Sequence, residues 1–151
     1  EEKKYRVDDA VAAVKAALVE GIVPGGGVTL VNLATKYTIK SDDPAIAAGE
    51  KLLVEALQKP FAILLKNSGL NADEWLPQVK SAKTGYGIDV TNPTKLVDMK
   101  AAGVIDPVRV TREALMNAVS IAEKAMTMGI LVKKKKKKED SSSLAPGMGM
   151  Y

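Results

Sequence analysis

The stretch Val19-Glu20-Gly21-Ile22-Val23-Pro24-Gly25-Gly26-Gly27-Val28 separates two helical patterns near the start of the chain. Before it, apolar residues recur at three- and four-residue steps, which predicts a helix over residues 8–20 with Gly21 as its C-terminal cap. After it, residues 28–35 are mostly apolar and predict a short buried helix. Three consecutive glycines are therefore expected at the N-terminus of a helix.

Two interpretations of these glycines are open. Glycine lets the backbone approach an anion closely, and a helix N-terminus presents free N–H groups to phosphate. However, no lysine follows in the G-x-x-x-x-G-K-[ST] spacing, and no G-x-G-x-x-G motif is present. Taken alone, the glycines favour a tight turn between two helices over an anion site.

Proline and acidic residues divide the next part of the chain into short helices. Asp43 before a proline is a strong helix-start signal and predicts a helix over residues 44–57. Pro60 is expected either to kink this helix or to begin another one. Asn71 caps a weaker helical segment, which Pro77 is expected to interrupt.

A loop-rich insert is predicted over residues 85–106, where helical periodicity is lost. Residues 86–90 alternate like a short strand. Asp106, followed by proline, is interpreted as the N-cap of the longest helix in the chain. Residues 130–132 are compatible with a second short strand. The predicted fold class is mainly α with a short β segment.

The composition excludes several kinds of chemistry. The chain of 151 residues has no histidine and no cysteine, which rules out imidazole relays, thiol nucleophiles, disulfides and the usual zinc sites. Any chemistry must use carboxylates, lysines, hydroxyls or a bound cation. The longest uncharged stretch, residues 21–35, contains Pro24 and three glycines, and it falls short of the roughly 20 apolar residues that span a bilayer. Neither a membrane span nor a signal peptide is predicted.

The positive charge lies in one place. Residues 133–140 contain six lysines, one Glu and one Asp, so they account for the whole net charge of +4. The remaining chain is neutral, and six aromatic residues are few for base stacking. Nucleic acid is therefore not an expected partner of the folded part. Residues 133–151 are low in complexity and are predicted to be a disordered tail.

This tail supports an alternative function, in which the chain is a helical interaction module whose polybasic end binds nucleic acid or acidic surfaces. The acidic residues outside the tail leave further choices open. Asp8 and Asp9 head the predicted first helix, where they would complement the helix dipole or polarise a water molecule. Asp89 is compatible with a simple turn residue.

Several separated motifs resemble one known family. They are Arg6-Val7-Asp8-Asp9-Ala10, the glycine-containing stretch quoted above, Gly103-Val104-Ile105-Asp106-Pro107 with Val110-Thr111-Arg112 after it, and a Gly-Met end. In this order and spacing they resemble the C-terminal part of the bacterial chaperonin large subunit, the GroEL family. The resemblance implies that residues 1–20 are the end of the intermediate domain, residues 21–132 the C-terminal half of the helical equatorial ATP-binding domain, and residues 133–151 a flexible tail.

The family resemblance also implies an activity. The complete subunits are expected to form stacked seven-membered rings in the cytoplasm, which enclose unfolded polypeptide and close with a co-chaperonin lid, driven by ATP hydrolysis. Gly26 is similar to a nucleotide-contacting residue, and Asp106 matches the acid that binds the nucleoside. Asp9 matches the carboxylate that helps to activate the attacking water.

The adenine-contacting segment of the family falls on Asp89, Val90 and Thr91, although the spacing from Asp89 to Asp106 is one residue longer than usual for the family. The family's Gly-Asp-Gly-Thr-Thr phosphate loop does not occur in these 151 residues, and the acid that holds Mg²⁺ belongs to the same N-terminal half of the subunit. The chain is therefore interpreted as a C-terminal fragment, with no metal ligand of its own. We expect it to lack ATPase and folding activity when isolated.

Overall fold

The computed structural model describes residues 1–129, which form six α-helices and four short β-strands. The helices are α1 (Glu2–Glu20), α2 (Val28–Lys36), α3 (Pro44–Ala56), α4 (Lys59–Asn67), α5 (Ala72–Ser81) and α6 (Val108–Thr127). The strands are β1 (Ile22–Pro24), β2 (Tyr86–Ile88), β3 (Leu96–Asp98) and β4 (Ile105–Pro107). The mainly α fold class is confirmed. The strand predicted at 130–132 and the predicted disordered tail lie outside the described residues.

The first helix begins earlier than the apolar pattern indicates. It starts at Glu2 and ends at Glu20, and the N–H of the next residue, Gly21, donates to the carbonyl of Ala17 at 2.8 Å. The predicted C-terminal cap is thus confirmed, but Asp8 and Asp9 lie in the middle of α1 and not in its first turn. Their interpretation as dipole-complementing residues is wrong, because that effect falls off within the first turn.

Two predicted N-caps are present. The Asp43 carboxylate accepts hydrogen bonds from the backbone N–H groups of Ala45 at 2.8 Å and Ile46 at 3.3 Å. The Asn71 side-chain oxygen accepts from Asp73 N–H at 3.0 Å. Both side chains satisfy N–H groups that have no partner inside the helix.

The two internal prolines behave differently. Pro60 lies in the first turn of α4, where a missing N–H costs nothing, so a separate helix begins there. Pro77 was expected to interrupt α5, and this is wrong, because the helix continues through it. Packing of Val79, which is only 2% exposed, and of Trp75 against the core holds α5 in place despite the lost hydrogen bond.

The strands form two antiparallel pairs. β1 pairs with β4 in the register Ile22↔Pro107, Val23↔Asp106 and Pro24↔Ile105, while β2 pairs with β3. Among the described strands, periodicity predicted only β2, because the alternation there extends over residues 86–90. The expected N-cap role of Asp106 is wrong, because Asp106 lies inside β4, Pro107 is the N-cap, and no side chain caps α6.

Burial is concentrated in part of the described chain. The core cluster joins α2, α4 and α5 to the β2–β3 hairpin. Its members are Val28, Val31, Phe61, Leu65, Val79, Ile88 and Met99. By contrast, α1, α3 and α6 contain no buried residue, and large apolar side chains such as Leu18 (82% exposed) and Ile121 (67% exposed) lie on their surfaces.

The C-terminal end of α1 is fastened to the start of α6. Arg112 donates to both Glu20 carboxylate oxygens, from Nη2 at 2.8 Å and from Nε at 3.3 Å. Beside this pair, Val108 N–H donates to the Gly21 carbonyl at 3.1 Å. Since the pair bridges 92 positions of sequence, it fixes how α1 leaves the rest of the fold.

Truncation of this ion pair tests its contribution. In a double-mutant cycle, Arg112→Gln and Glu20→Gln should show a coupling of about 0.5–1 kcal/mol in the free energy of unfolding, measured by urea denaturation. The exposed pair Arg6–Glu2, one turn apart on α1, is the control and should couple by less, about 0.3–0.5 kcal/mol. Equal coupling in the two cycles would show that the bidentate contact adds nothing.

Alanine substitutions at two glycines should have opposite effects. A Cβ at Gly27 would lie 2.9 Å from the backbone of Phe61 in a residue with φ of +77°, so Gly27→Ala should lower the free energy of unfolding by about 1–3 kcal/mol. Gly49 lies inside α3 with nothing within 4 Å, so Gly49→Ala should raise it by about 0.5–1 kcal/mol. Thermal and urea denaturation would measure both, and a tolerated Gly27→Ala would contradict the packing described here.

Candidate functional site

The three glycines form a turn that leads from β1 into α2. This corrects the expectation of a turn between two helices, because the preceding residues 22–24 are a strand. Gly26 and Gly27 have φ values of +65° and +77°, a backbone conformation that side chains disfavour. The turn therefore requires glycine for its own geometry, before any ligand is considered.

The turn is also packed closely on both sides. Gly25 N–H donates to the Val104 carbonyl at 2.9 Å, and a Cβ at Gly25 would lie 3.1 Å from the Ile105 backbone. A Cβ at Gly26 would lie 3.1 Å from Met99 Cε. We refer to Gly25, Gly26 and Gly27 as the glycine turn. Its position is set by the segment that leads into β4.

Asp106 lies on β4 directly opposite Val23 of β1. Val23 is two residues before Gly25, where the glycine turn begins. With Pro24 and Gly27, Asp106 lines a cavity of about 820 Å³ that extends between α3, α4 and α6. The cavity is mainly apolar, and its other lining residues include Leu53, Leu57, Leu64, Leu115 and Val119. Partial burial here raises the pKa of the Asp106 carboxyl, because desolvation disfavours its charged form.

Asp89, Val90 and Thr91 form a separate turn immediately after β2. The Asp89 carboxylate accepts hydrogen bonds from the Thr91 hydroxyl at 2.7 Å and from the Thr91 N–H at 2.9 Å. These bonds, the hydroxyl first, lower the pKa of Asp89 and keep it ionised. Neither this turn nor Val90, which is 42% exposed, lines the cavity that contains Asp106.

A path of backbone hydrogen bonds connects the hairpin that carries this turn to the glycine turn. Met99 N–H donates to the Gly85 carbonyl at 3.1 Å, and Val104 N–H donates to the Met99 carbonyl at 2.8 Å. Gly25 N–H then donates to Val104 as described above. The two candidate segments therefore lie on one continuous hydrogen-bonded framework, although they are not in contact through the cavity.

Asp9 lies far from both segments. It is exposed on α1, twelve residues before Gly21, which corresponds to about 18 Å along a straight helix. The structure thus brings Asp106 and the glycine turn together and leaves Asp9 apart. Within residues 1–129, no group of three or more acidic residues is arranged to hold a metal ion.

Two structural residues of this framework were missed by sequence reasoning. Gly87 packs against Val28 and Met99 so tightly that a Cβ would lie 2.3 Å from Val28 Cγ2. Asn32 donates to the Val28 carbonyl at 2.8 Å and accepts from Gly85 N–H at 3.0 Å. The signals were a glycine within an alternating strand pattern and an amide within an apolar helix.

The desolvated Asp106 should give the chain a measurable pH dependence. Because its folded-state pKa is raised, the folded state binds more protons, and stability should fall as pH rises from the ordinary carboxyl pKa through the raised value. Asp106→Asn should remove this decline and raise the midpoint of thermal unfolding at neutral pH. Melting curves between acid and neutral pH would measure it, with Asp98→Asn on the exposed hairpin as the control. A parallel pH profile for wild type and Asp106→Asn would contradict the assignment.

Sequence and structure comparisons agree on the relatives of this chain. Residues 1–136 match the sequence model of the TCP-1/cpn60 chaperonin family. The fold is similar to that of a group III chaperonin crystallised in the open state, with 28% sequence identity and a TM-score of 0.69 over 78% of this chain. The matched part is 25% of that chaperonin's chain.

Within the described part of the chain, no helix is both long and apolar enough to cross a bilayer. The glycine turn, the β1–β4 pair and Asp106 all lie inside the region matched by the family. The chain belongs to the TCP-1/cpn60 chaperonin family.

Proposed function

We propose that this chain forms the C-terminal part of a chaperonin subunit and contributes one side of its ATP site. The single observation that carries the proposal is the pairing of Asp106 with the strand that enters the glycine turn, within a chain of the chaperonin family. In the complete protein, ATP hydrolysis would drive the enclosure and folding of unfolded polypeptides inside rings of identical subunits that a co-chaperonin closes.

The residues near the glycine turn fit a nucleoside. A carboxylate accepts hydrogen bonds strongly, and partial burial among apolar side chains strengthens each bond that it makes. Asp106 would accept from the hydroxyl groups of the ribose, while the backbone at Gly26, whose φ of +65° favours glycine, would contact the nucleotide. The Asp89–Thr91 hydrogen bonds fix a turn whose backbone, with Val90, would contact the adenine.

Phosphate and metal binding would come from elsewhere in the subunit. Magnesium would supply charge neutralisation at the phosphates, where phosphoryl transfer mainly needs positioning and electrostatic stabilisation. The described residues of this chain offer no suitable group of carboxylates for it. We therefore propose that this chain provides the nucleoside-binding side of the site. It would also provide one carboxylate, which reaches the nucleotide only after a conformational change.

Asp9 is that carboxylate. Gly21, at the end of α1, has φ of +84° and open space around its Cα, so it can absorb a change in backbone direction without a clash. Rotation of α1 about Gly21, with release of the Glu20–Arg112 ion pair, would carry Asp9 from its exposed position toward the nucleotide, where it would orient the attacking water. Closure of this kind completes a catalytic site only when substrate is bound.

The exposed apolar residues of α3 and α6 are explained by contacts with other parts of a complete subunit. The long helix α6 buries no residue, although Met116, Val119 and Met126 are apolar. Large apolar surfaces of this kind usually mark protein contacts. Because the match to the group III chaperonin covers 25% of that chain, we propose that other parts of the subunit cover α6, α3 and the cavity between them.

Phosphate release and ATP binding test this function. The isolated chain should release phosphate from MgATP at the background rate, yet bind ATP weakly, and Asp106→Asn should weaken binding by about tenfold through the lost charge-assisted hydrogen bonds. Asp98→Asn is the control. Magnesium-dependent turnover abolished by Asp9→Ala would overturn the inactivity, and no ATP binding at millimolar concentration would overturn the site.

Within a complete subunit, Asp9→Ala should slow hydrolysis while ATP affinity stays within about twofold, because the carboxylate acts on the water and not on the ground-state nucleotide. Single-turnover kinetics with separately measured ATP affinity would separate the two effects. Unchanged turnover would remove Asp9 from the mechanism.

A further inference from the structure

The Asn32 side chain connects α2 by a hydrogen bond to Gly85, the residue that precedes the β2–β3 hairpin. Its Nδ2 donates to the Val28 carbonyl one turn earlier, at 2.8 Å, which fixes the orientation of the amide. Its Oδ1 accepts from the Gly85 N–H at 3.0 Å, across 53 positions of sequence. The amide therefore ties α2 to the residue that begins the β2–β3 hairpin.

Gly85 is buried and lies one residue before β2, and its N–H donates to Asn32. A buried N–H without a partner is costly, and the Asn32 oxygen removes this cost by accepting the hydrogen bond from Gly85. The Gly85 carbonyl is held on its other side by Met99 N–H at 3.1 Å. Both polar groups of this one residue are thus used to place the hairpin.

The Asn32–Gly85 hydrogen bond and the backbone hydrogen bonds that lead to the glycine turn together form a closed ring of contacts. Gly25 is bound to Val104, Val104 to Met99 and Met99 to Gly85, and Asn32 returns from Gly85 to the helix that the glycine turn begins. The backbone path fixes one side of the hairpin and Asn32 fixes the other. From Gly85, the extended strand β2 reaches Asp89 over about 13 Å.

We propose that Asn32 is a positioning residue of the nucleotide site, which holds the Asp89–Thr91 turn at a fixed place relative to Gly26 and Asp106. This inference rests on the proposed function, since it takes that turn as the adenine contact. Asn32 itself touches no nucleotide. Asn32 would raise the affinity for the nucleotide by holding the base-contacting turn and Asp106 at a distance that suits both the base and the ribose.

Three variants separate this role from general stability. Asn32→Leu removes both hydrogen bonds of the amide with little change in side-chain volume. Asn32→Asp keeps an oxygen to accept from Gly85, replaces the donor to Val28 by a second oxygen and adds a negative charge. Thr35→Val is the matched control, because it deletes a local hydrogen bond of the same helix, from Thr35 Oγ1 to Val31 O at 2.9 Å, without touching the hairpin.

Amide hydrogen exchange of the 151-residue chain without nucleotide tests the geometry. Asn32→Leu should speed exchange at Gly85 by about tenfold and also at Thr91, whose N–H is held by Asp89. Asn32→Asp should stay closer to wild type than Asn32→Leu does, because it keeps the acceptor for Gly85, and Thr35→Val should not differ from wild type at these amides. Unchanged exchange at both amides in Asn32→Leu would overturn the proposal.

Titrations with ATP and with ribose 5-phosphate, which lacks the base, test the function when followed by NMR. Asn32→Leu should weaken ATP binding by about tenfold and leave ribose 5-phosphate binding within about twofold, with partial recovery of ATP affinity in Asn32→Asp. Equal losses for both ligands, or unchanged ATP affinity in the folded variant, would overturn the positioning role.

The two proposals fail in different ways. If the wild-type chain binds no ATP, the proposed function fails and the nucleotide role of Asn32 fails with it, while hydrogen exchange still decides whether Asn32 holds the turn. If wild type binds ATP and Asp106→Asn weakens it, but Asn32→Leu does not, only the role of Asn32 is overturned.

Discussion

The close backbone approach at the glycine turn is the constraint on which the rest of the structure depends. Gly25 lies against the backbone of residues 104–105, and Gly27 lies against the backbone at Phe61. One short turn thereby sets the distances between the β1–β4 pair, helix α2 and helix α4. Because the contacts are between main chains, no side-chain rearrangement can relieve a larger residue at Gly25 or Gly27.

Local signals in the sequence predicted where a helix begins when a single capping residue decides its first turn. Asp43 and Asn71 cap helices as expected, since their side chains act on N–H groups only two or three positions away. The strands β1, β3 and β4 could not be predicted in this way. Each is three residues long, and its partner lies elsewhere in the chain, so the information is in tertiary pairing and not in local pattern.

The geometry of the candidate site also depends on contacts that a local sequence pattern does not contain. The glycine stretch and the motif around Asp106 were identified from sequence. The structure shows that the glycines are required by close backbone packing and that Asp106 is placed by strand pairing. Asp106 was mistaken for a helix cap because an Asp-Pro pair before a helix has the same local pattern. The link from Asn32 to Gly85 spans 53 positions, and no local motif can reveal it.

The uneven burial also determines the order in which this molecule opens. The segments that share the core, α2, α4, α5 and the β2–β3 hairpin, form one cooperative unit, whereas α1, α3 and α6 bury no side chain. Such outer helices can fray without breaching the core, so they belong to the low-stability end of the native ensemble. The framework that holds the glycine turn would remain folded during these excursions, and the surroundings of Asp106 would change around it.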